Sequence, residues 1–456
     1  LRLGLGLGLG LCSGLVRDIA PILSILMRHH LVLVRSLAIT LIGLLLLGAP
    51  ASARDRSVSF MVFGDPAELA AYQELVAAFE ETQDEIGVEL IHIPSASDYR
   101  ARLGVDFAAG DPADIVLINY RRYAPFAQMG VLEPLAPYLR QSDVISERDF
   151  FRVATDSFKW RGQLMCIPQN ISSLVVYYNR ELFDAAGLAY PSDDWTWDEF
   201  LSVAQALTID LDGDGRADQH GVGIEPSIFR LAPFVWGNRG ELIVLEGGRE
   251  PVRLALDGRA ASEAVEWFVA LQTEHGVAPD ALAEAAESSE SRFLNGRTAM
   301  FFNSRRGTPT ARSIDGFEWD VAALPVGQER AGILHSDAYC LAAAAEDKDA
   351  AWAFIEFANS PVGQAIVARS GRTVPSLIEV ASSDAFLDPT VAPANSAVWL
   401  ETVDTLRTVP VMAGWVDIEE LTGDELERAF YGQAPVGEVI DAMVTRTLPF
   451  FAGEEG

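Results

Sequence analysis

Between residues 58 and 129 the chain alternates short β-forming runs with amphipathic helical segments, the pattern that most restricts what it can fold into. Residues 58–63 are an apolar run rich in β-formers. Asp65 is placed to cap a helix whose first turn holds Pro66, and Leu69, Tyr72, Leu75, Val76 and Phe79 recur at helical spacing. Strands are expected at 88–93 and 114–118, with helices at about 99–109 and 123–129. A βαβαβα order favours a parallel sheet with helices on both faces, and such sheets gather ligands at the carboxyl ends of their strands. Phe63-Gly64-Asp65, residues 95–98 and Asn119-Tyr120-Arg121 therefore belong at one rim. Each taken alone reads as an ordinary βα loop; three polar loops at one edge point to a site.

The length of 456 residues exceeds one core and implies two domains, for which 49% hydrophobic residues supply material. Residues 27–53 read as a secretory signal: Arg28 and Arg35 flank an apolar run at 37–47, and Ala51-Ser52-Ala53 is a small-residue cleavage site. The alternative, a single membrane anchor, has too short an apolar run to span comfortably. Residues 1–26 look like low-complexity sequence ahead of a start at Met27, so residues 1–53 are left out of the fold. No cysteine follows the signal core in a lipid-attachment context, which suggests a free, exported chain. Cys166 and Cys340 then lie where a disulfide is chemically permitted; a bridge and two buried thiols both stay open, because spacing does not give a Cα separation. A formal charge of −31 argues against nucleic acid and anionic lipid as partners.

Further along, Thr196 and Glu199 form a capping box opening a helix through Leu207, Asp349 and Ser360 are placed to cap two later helices, and 281–291 reads as an exposed helix or a loop. Asp210, Asp212, Asp214 and Asp218, with Gly215 at position 6 and the Arg216 carbonyl at position 7, have the oxygen-ligand spacing of an EF-hand-type loop. A structural calcium is the expectation there, against the plain alternative of an acidic turn. Position 12 is Gly221 instead of a bidentate glutamate, which weakens the site unless Glu225 substitutes.

From Gly110 onward a series of motifs resembles the family 1 extracellular solute-binding proteins, the group that includes maltose-binding protein. They are Gly110-Asp111-Pro112-Ala113-Asp114, the helix–Gly–Leu-x-Pro-Leu of 126–135, Gln163 to Pro168, Tyr178-Asn179-Arg180-Glu181-Leu182-Phe183 with Gly187-Leu188, Trp195 to Phe200, Phe293 to Met300, and 350–371. They occur in family order over nearly the whole exported chain. The resemblance implies an α/β, two-lobed periplasmic-binding-protein fold, each lobe a mostly parallel sheet flanked by helices, with three hinge crossings near 166–169, 333–340 and 372–377. Lobe 1 would comprise 54–166 and 333–375, and lobe 2 would comprise 167–332 and 376–456. The implied function is the periplasmic, monomeric component of an ABC importer, which closes on a small solute and is recognised by membrane permease subunits. The alternatives are a receptor for a sensor system, or a carbohydrate-active enzyme using Asp65 and Asp337. No nucleophile elbow, phosphate loop or metal-type histidine pair supports an enzyme.

Sugars present hydroxyls and apolar C–H faces, so planar polar side chains and aromatic rings are the expected partners. Matching positions give Gly64, Asp65, Asn119, Gln169, Asn170, Trp236, Asn303, Arg305, Ser336, Asp337, Arg372 and Trp415, the two tryptophans being equally readable as core. One departure stands out: after Met300 the family commonly has a glycine and then an aromatic, and here the run ends in Arg305-Arg306-Gly307. Arg305 is the expected anion contact, extending the ligand class to an acidic sugar or polyol phosphate.

Overall fold

The computed structural model describes residues 54–451. The expected signal segment, residues 27–53, lies outside the described residues. The opening alternation is β1 (Arg56–Phe63), α1 (Pro66–Glu81), β2 (Ile86–Ile93), α2 (Ala96–Ala109) and β3 (Ile115–Asn119). Asp65 caps α1 by accepting from the amides of Ala67 and Glu68 at 2.8 and 2.9 Å, and Glu68 closes the box by accepting from the Asp65 amide at 3.0 Å. Strand β1 lies between β2 and β3, parallel to both. Its Phe60 meets Tyr72 of α1 at 5.7 Å between ring centroids.

The chain continues through β4 (Leu132–Glu133), β5 (Cys166–Pro168), β6 (Leu174–Asn179), α3 (Trp197–Ala206), β7 (His220–Gly223), α4 (Ile228–Gly237), β8 (Thr298–Ser304), β9 (Trp319–Ala322) and β10 (Asp337–Ala342). The first sheet runs β2-β1-β3-β10-β4, with β5 also on β10; the second runs β9-β6-β8-β7. Both are mostly parallel in strand direction, each with one strand reversed: β10 runs against β3, β4 and β5 in the first sheet, and β6 against β9 and β8 in the second, where β8 and β7 pair in parallel. The crossover rule that enforces parallel strands applies to βαβ units. Strand β10 is not made that way: it arrives after the chain has built the second sheet, and runs back through the first.

Three segments lie side by side where the crossings are expected. Cys340 faces Cys166 across β10 and β5, and the two form a disulfide. Beyond β5 the ladder continues: the Gln169 amide donates to Asp337 O at 2.8 Å, Ser172 and His335 exchange bonds of 2.8 and 2.7 Å, and the Ile171 amide donates to Val374 O at 2.8 Å. Gln169 donates from Nε2 to Tyr339 Oη at 2.6 Å and Tyr72 Oη at 3.1 Å, which ties this ladder to α1.

Behind it follow α5 (Lys348–Ala358), α6 (Pro361–Arg369), α7 (Trp415–Phe430) and α8 (Val436–Phe451). Ser360 caps α6 and the Thr196–Glu199 box opens α3 as expected. Asp349 does not cap α5: Asp347, two residues earlier, accepts from the Ala350 amide at 3.0 Å and takes both 2.6 Å bonds from the Arg56 guanidinium. The 281–291 stretch folds into two short helices, Ala281–Ala286 and Ser289–Leu294. Among the described residues no helix is long and apolar enough to cross a membrane.

Closing a loop with cysteines 174 positions apart removes much chain entropy from the unfolded state. Replacing Cys166 and Cys340 by serine is expected to cost about 2–5 kcal/mol, read as a lower denaturation midpoint; a midpoint insensitive to both the substitution and reductant would contradict it. His220 of β7 is also buried, and burial first, then Arg292, lowers its pKa to about 4. An unfolded imidazole takes its proton near pH 6.5, so as pH falls from about 6.5 to 4 the unfolded state is favoured, by about 3 kcal/mol in full. The His220→Gln protein should show a flatter stability profile across that window, and an unchanged slope would exclude His220 as its cause.

Candidate functional site

The carboxyl ends of β1 and β3, the hinge ladder and the end of β8 enclose a cleft of about 650 Å³. Phe63 and Asn119 enter it from the first sheet, Asn170, His335, Asp337 and Arg372 from the ladder, and Phe229, Arg230, Asn303 and Arg306 from the opposite side. Asp337 sits on the floor, opposite Asn119 in the β3–β10 register. Its carboxylate accepts from Asn119 Nδ2 at 3.1 Å and Asn170 Nδ2 at 3.4 Å, and Asn170 Oδ1 accepts from the Asp337 amide at 3.3 Å. The Phe63 and Tyr99 rings lie 4.9 Å apart on the first-sheet wall, and Phe229 lies 3.9 Å from His335 on the other. Tyr99 is fixed there by donating to Leu117 O at 2.9 Å, between β1 and β3.

Arg372 is buried and paired with the equally buried Glu68 of the α1 cap. Burial alone lowers its pKa, but the neighbouring Glu68, Tyr72 and Asp337 outweigh that and the net direction is up. His335 goes the other way: burial, then Arg121, Arg230, Arg306 and Arg372, hold it well below the usual imidazole range, so it is neutral. On the far rim Arg121 lies 4.2 Å from the Phe229 ring centroid, and Arg121 and Arg122 share Glu419 of α7.

Five of the twelve expected contacts, Asn119, Asn170, Asn303, Asp337 and Arg372, line this cleft. The other seven do not. Gly64 has φ +135°, and a Cβ there would lie 1.9 Å from Glu68 Oε2, so it permits the cap to close on itself. Asp65 is that cap. Gln169 is spent on Tyr72 and Tyr339, and Ser336 donates to Asn170 O at 2.6 Å within the ladder. Trp415 and Trp236 are both buried. Trp415 begins α7 and turns into the core, whereas the next two residues, Val416 and Asp417, face the cleft. Trp236 ends α4, with Arg407 4.9 Å over its ring, and borders a separate groove of about 690 Å³ that lies away from the ends of β1 and β3.

Arg305 is the clearest correction. It is 1% exposed, donates to Ser396 Oγ at 2.9 Å, and lies between Phe386 and Trp399, where burial lowers its pKa to about 9. Its neighbour Arg306 occupies the cleft instead. The two open a 3₁₀ turn, Arg305–Gly307, directly after β8, where successive side chains stand about 120° apart.

Outside the cleft, Asp210, Asp212 and Asp218 bring carboxylate oxygens within 4.8 Å of one another; Asp214 does not join them. Asp210 accepts from the Gly213 and Gly215 amides, Asp212 from that of Asp214, and Asp214 from that of Arg216, so the turn is braced by its own carboxylates. Glu225, the candidate substitute for the twelfth ligand, pairs here with Arg230.

Two sheets joined by three adjacent segments, with a polar cleft between their strand ends, define a two-lobed binding protein. Residues 64–365 match the bacterial extracellular solute-binding protein family, and the chain belongs to it. A Brucella abortus chain named as a binding protein is 24% identical over 405 residues, covering 88% of this chain and 94% of that one. The mannitol-binding protein of Pseudomonas aeruginosa is 25% identical over 325 residues, covering 67% of this chain and 69% of its own. The ABC substrate-binding protein of Listeria monocytogenes solved in complex with cycloalternan shares the fold at a TM-score of 0.78, with 22% identity over 87% of this chain and 98% of that one.

Removing Glu68 would leave Arg372 as an unpaired buried cation. Glu68→Ala is expected to cost about 3–5 kcal/mol in denaturant unfolding. A loss under about 1 kcal/mol, the worth of an exposed pair, would show that the contact is not buried in solution.

Proposed function

We propose that the protein is the solute-capturing component of an ABC importer, exported as a soluble monomer to the periplasm, where it closes on a sugar or sugar derivative and presents it to the membrane permease. The observation that carries this reading is the cleft itself: both sheets and all three ladder segments contribute to it. Closing the lobes would therefore bring donors and rings from two sides onto one ligand. Asn119, Asn170, Asn303 and Asp337 suit hydroxyls, and the faces of Phe63, Tyr99 and Phe229 suit C–H surfaces. The names of a mannitol-binding relative and of a structural neighbour holding an oligosaccharide support a carbohydrate. The reading includes no catalytic step: the floor carboxylate Asp337 is engaged by two amides.

Thermal melting of the purified protein against mannitol, tagatose, maltose and longer glucosides tests this. A bound ligand adds RT ln(1 + [L]/Kd), about 2.7 kcal/mol at a hundred times Kd, and should be recovered unchanged by chromatography. A stabilising sugar that is consumed during incubation would overturn the binding-only reading.

A further inference from the structure

We propose that the solute is anionic, a sugar or polyol carrying a phosphate or carboxylate group, and that Arg306 is the residue that pairs with that group. This rests on the solute-binding reading and names the ligand class of the same cleft.

The charge distribution is the first ground. The chain has 34 basic residues against 65 acidic ones, yet its cleft is lined by six arginines and only two carboxylates, Asp337 and Asp417. A wall for a neutral sugar in so acidic a chain has no need of that concentration.

The second ground is how those arginines are engaged. Arg372 is taken by Glu68, Arg230 by Glu225, and Arg121 and Arg122 by Glu419, while Arg100 stands exposed on α2 with no ion pair among the described residues. Among the described residues Arg306 has no carboxylate within ion-pair distance; its guanidinium lies 5.6 Å from the centroid of the Phe63 ring, on the opposite wall. Asp337, on the cleft floor, already accepts from Asn119 and Asn170. Arg306 thus reaches from the end of β8 towards the first sheet with its donors free. Arg306 is exposed to solvent in this conformation; desolvation by the surrounding protein, then Arg372, lowers its pKa against the opposite pull of Glu68, Asp337 and Glu290.

The third ground is what closure would do to it. Sealing an unpaired guanidinium between two lobes removes its water without replacing it, which opposes closure; an anionic group supplied by the ligand reverses that sign. A planar fork of donors meets two oxygens of a phosphate or carboxylate at once, a geometry an ammonium lacks. His335 is held neutral by burial, then by the surrounding arginines, and so remains available to a ligand as an acceptor or a donor without adding charge.

Paired probes separate the possibilities: mannitol against mannitol 1-phosphate, and glucose against glucose 6-phosphate and glucuronate, each titrated calorimetrically into the purified protein. The expected result is that a charged member binds at least tenfold tighter than its neutral counterpart, with affinity falling as ionic strength rises. The phosphate and glucuronate arms tell which anion the fork takes. In Arg306→Ala the preference for the charged member should disappear while the melting temperature of the unliganded protein is unchanged, and Arg306→Lys should restore part of it. If Arg306→Ala folds poorly, the ionic-strength dependence in the wild-type protein carries the test. Neutral members binding as tightly as charged ones, or a charged preference that survives in Arg306→Ala, would overturn this inference and leave the solute-binding reading intact. Binding of none of the probes, neutral or charged, would overturn both.

Discussion

The pairing of β5 with β10 and its continuation to residues 374–376 is the constraint on which the rest of the molecule depends. Three stretches far apart in sequence are held in one hydrogen-bonded ladder, sewn together on the first-sheet side by Cys166–Cys340 and tied to α1 through Gln169. The cleft opens a few residues beyond the disulfide along the ladder, at Asn170, His335 and Asp337. Asn170, His335, Asp337 and Arg372 owe their positions to it. Had β10 paired one residue out of register, Asp337 and Cys340 would each have exchanged faces with their neighbours.

Much of this was legible in the sequence. The βα alternation, the Asp65 cap, the capping box at Thr196 and the ordered motifs from Gly110 to Gly371 are local signals, and local signals survive into the fold. The reversal of β10 was not legible. Whether β10 runs with or against β3 depends on where the chain has been in the intervening two hundred or so residues, and no window of sequence reports that.

The site was legible as segments and not as faces. The run at 303–306, the start of α7 and the 336–337 step all reach the cleft, and two of the residues expected there, Asn303 and Asp337, line it. Arg305, Trp415 and Ser336 do not: each is buried in packing that only the assembled tertiary structure defines, and Arg306, Val416 and Asp417 face the cleft instead. Large aromatics drew the eye as sugar platforms, but Trp236 and Trp415 are too well placed to fill volume to be left at a surface, and smaller rings, Phe63, Tyr99 and Phe229, line the wall. Arg305 and Arg306 lie in a 3₁₀ turn past the end of β8, so strand alternation does not separate them, and nothing local separates Trp415 from Val416.

Strand β10 has one further consequence, for the order in which the molecule can be made. It is the strand against which β3, β4 and β5 all lie, yet it is not available until residue 342 has been synthesised. The first hundred or so residues of the folded region can form helices and the β2-β1-β3 ribbon, but that ribbon has an unpaired edge and cannot close its core alone. A nascent chain of this topology therefore stays unfinished for most of its synthesis, with loop closure over long separations left to the end. Its native state is a late event by architecture, and an unfinished chain is the form in which a polypeptide can still be threaded through a narrow passage.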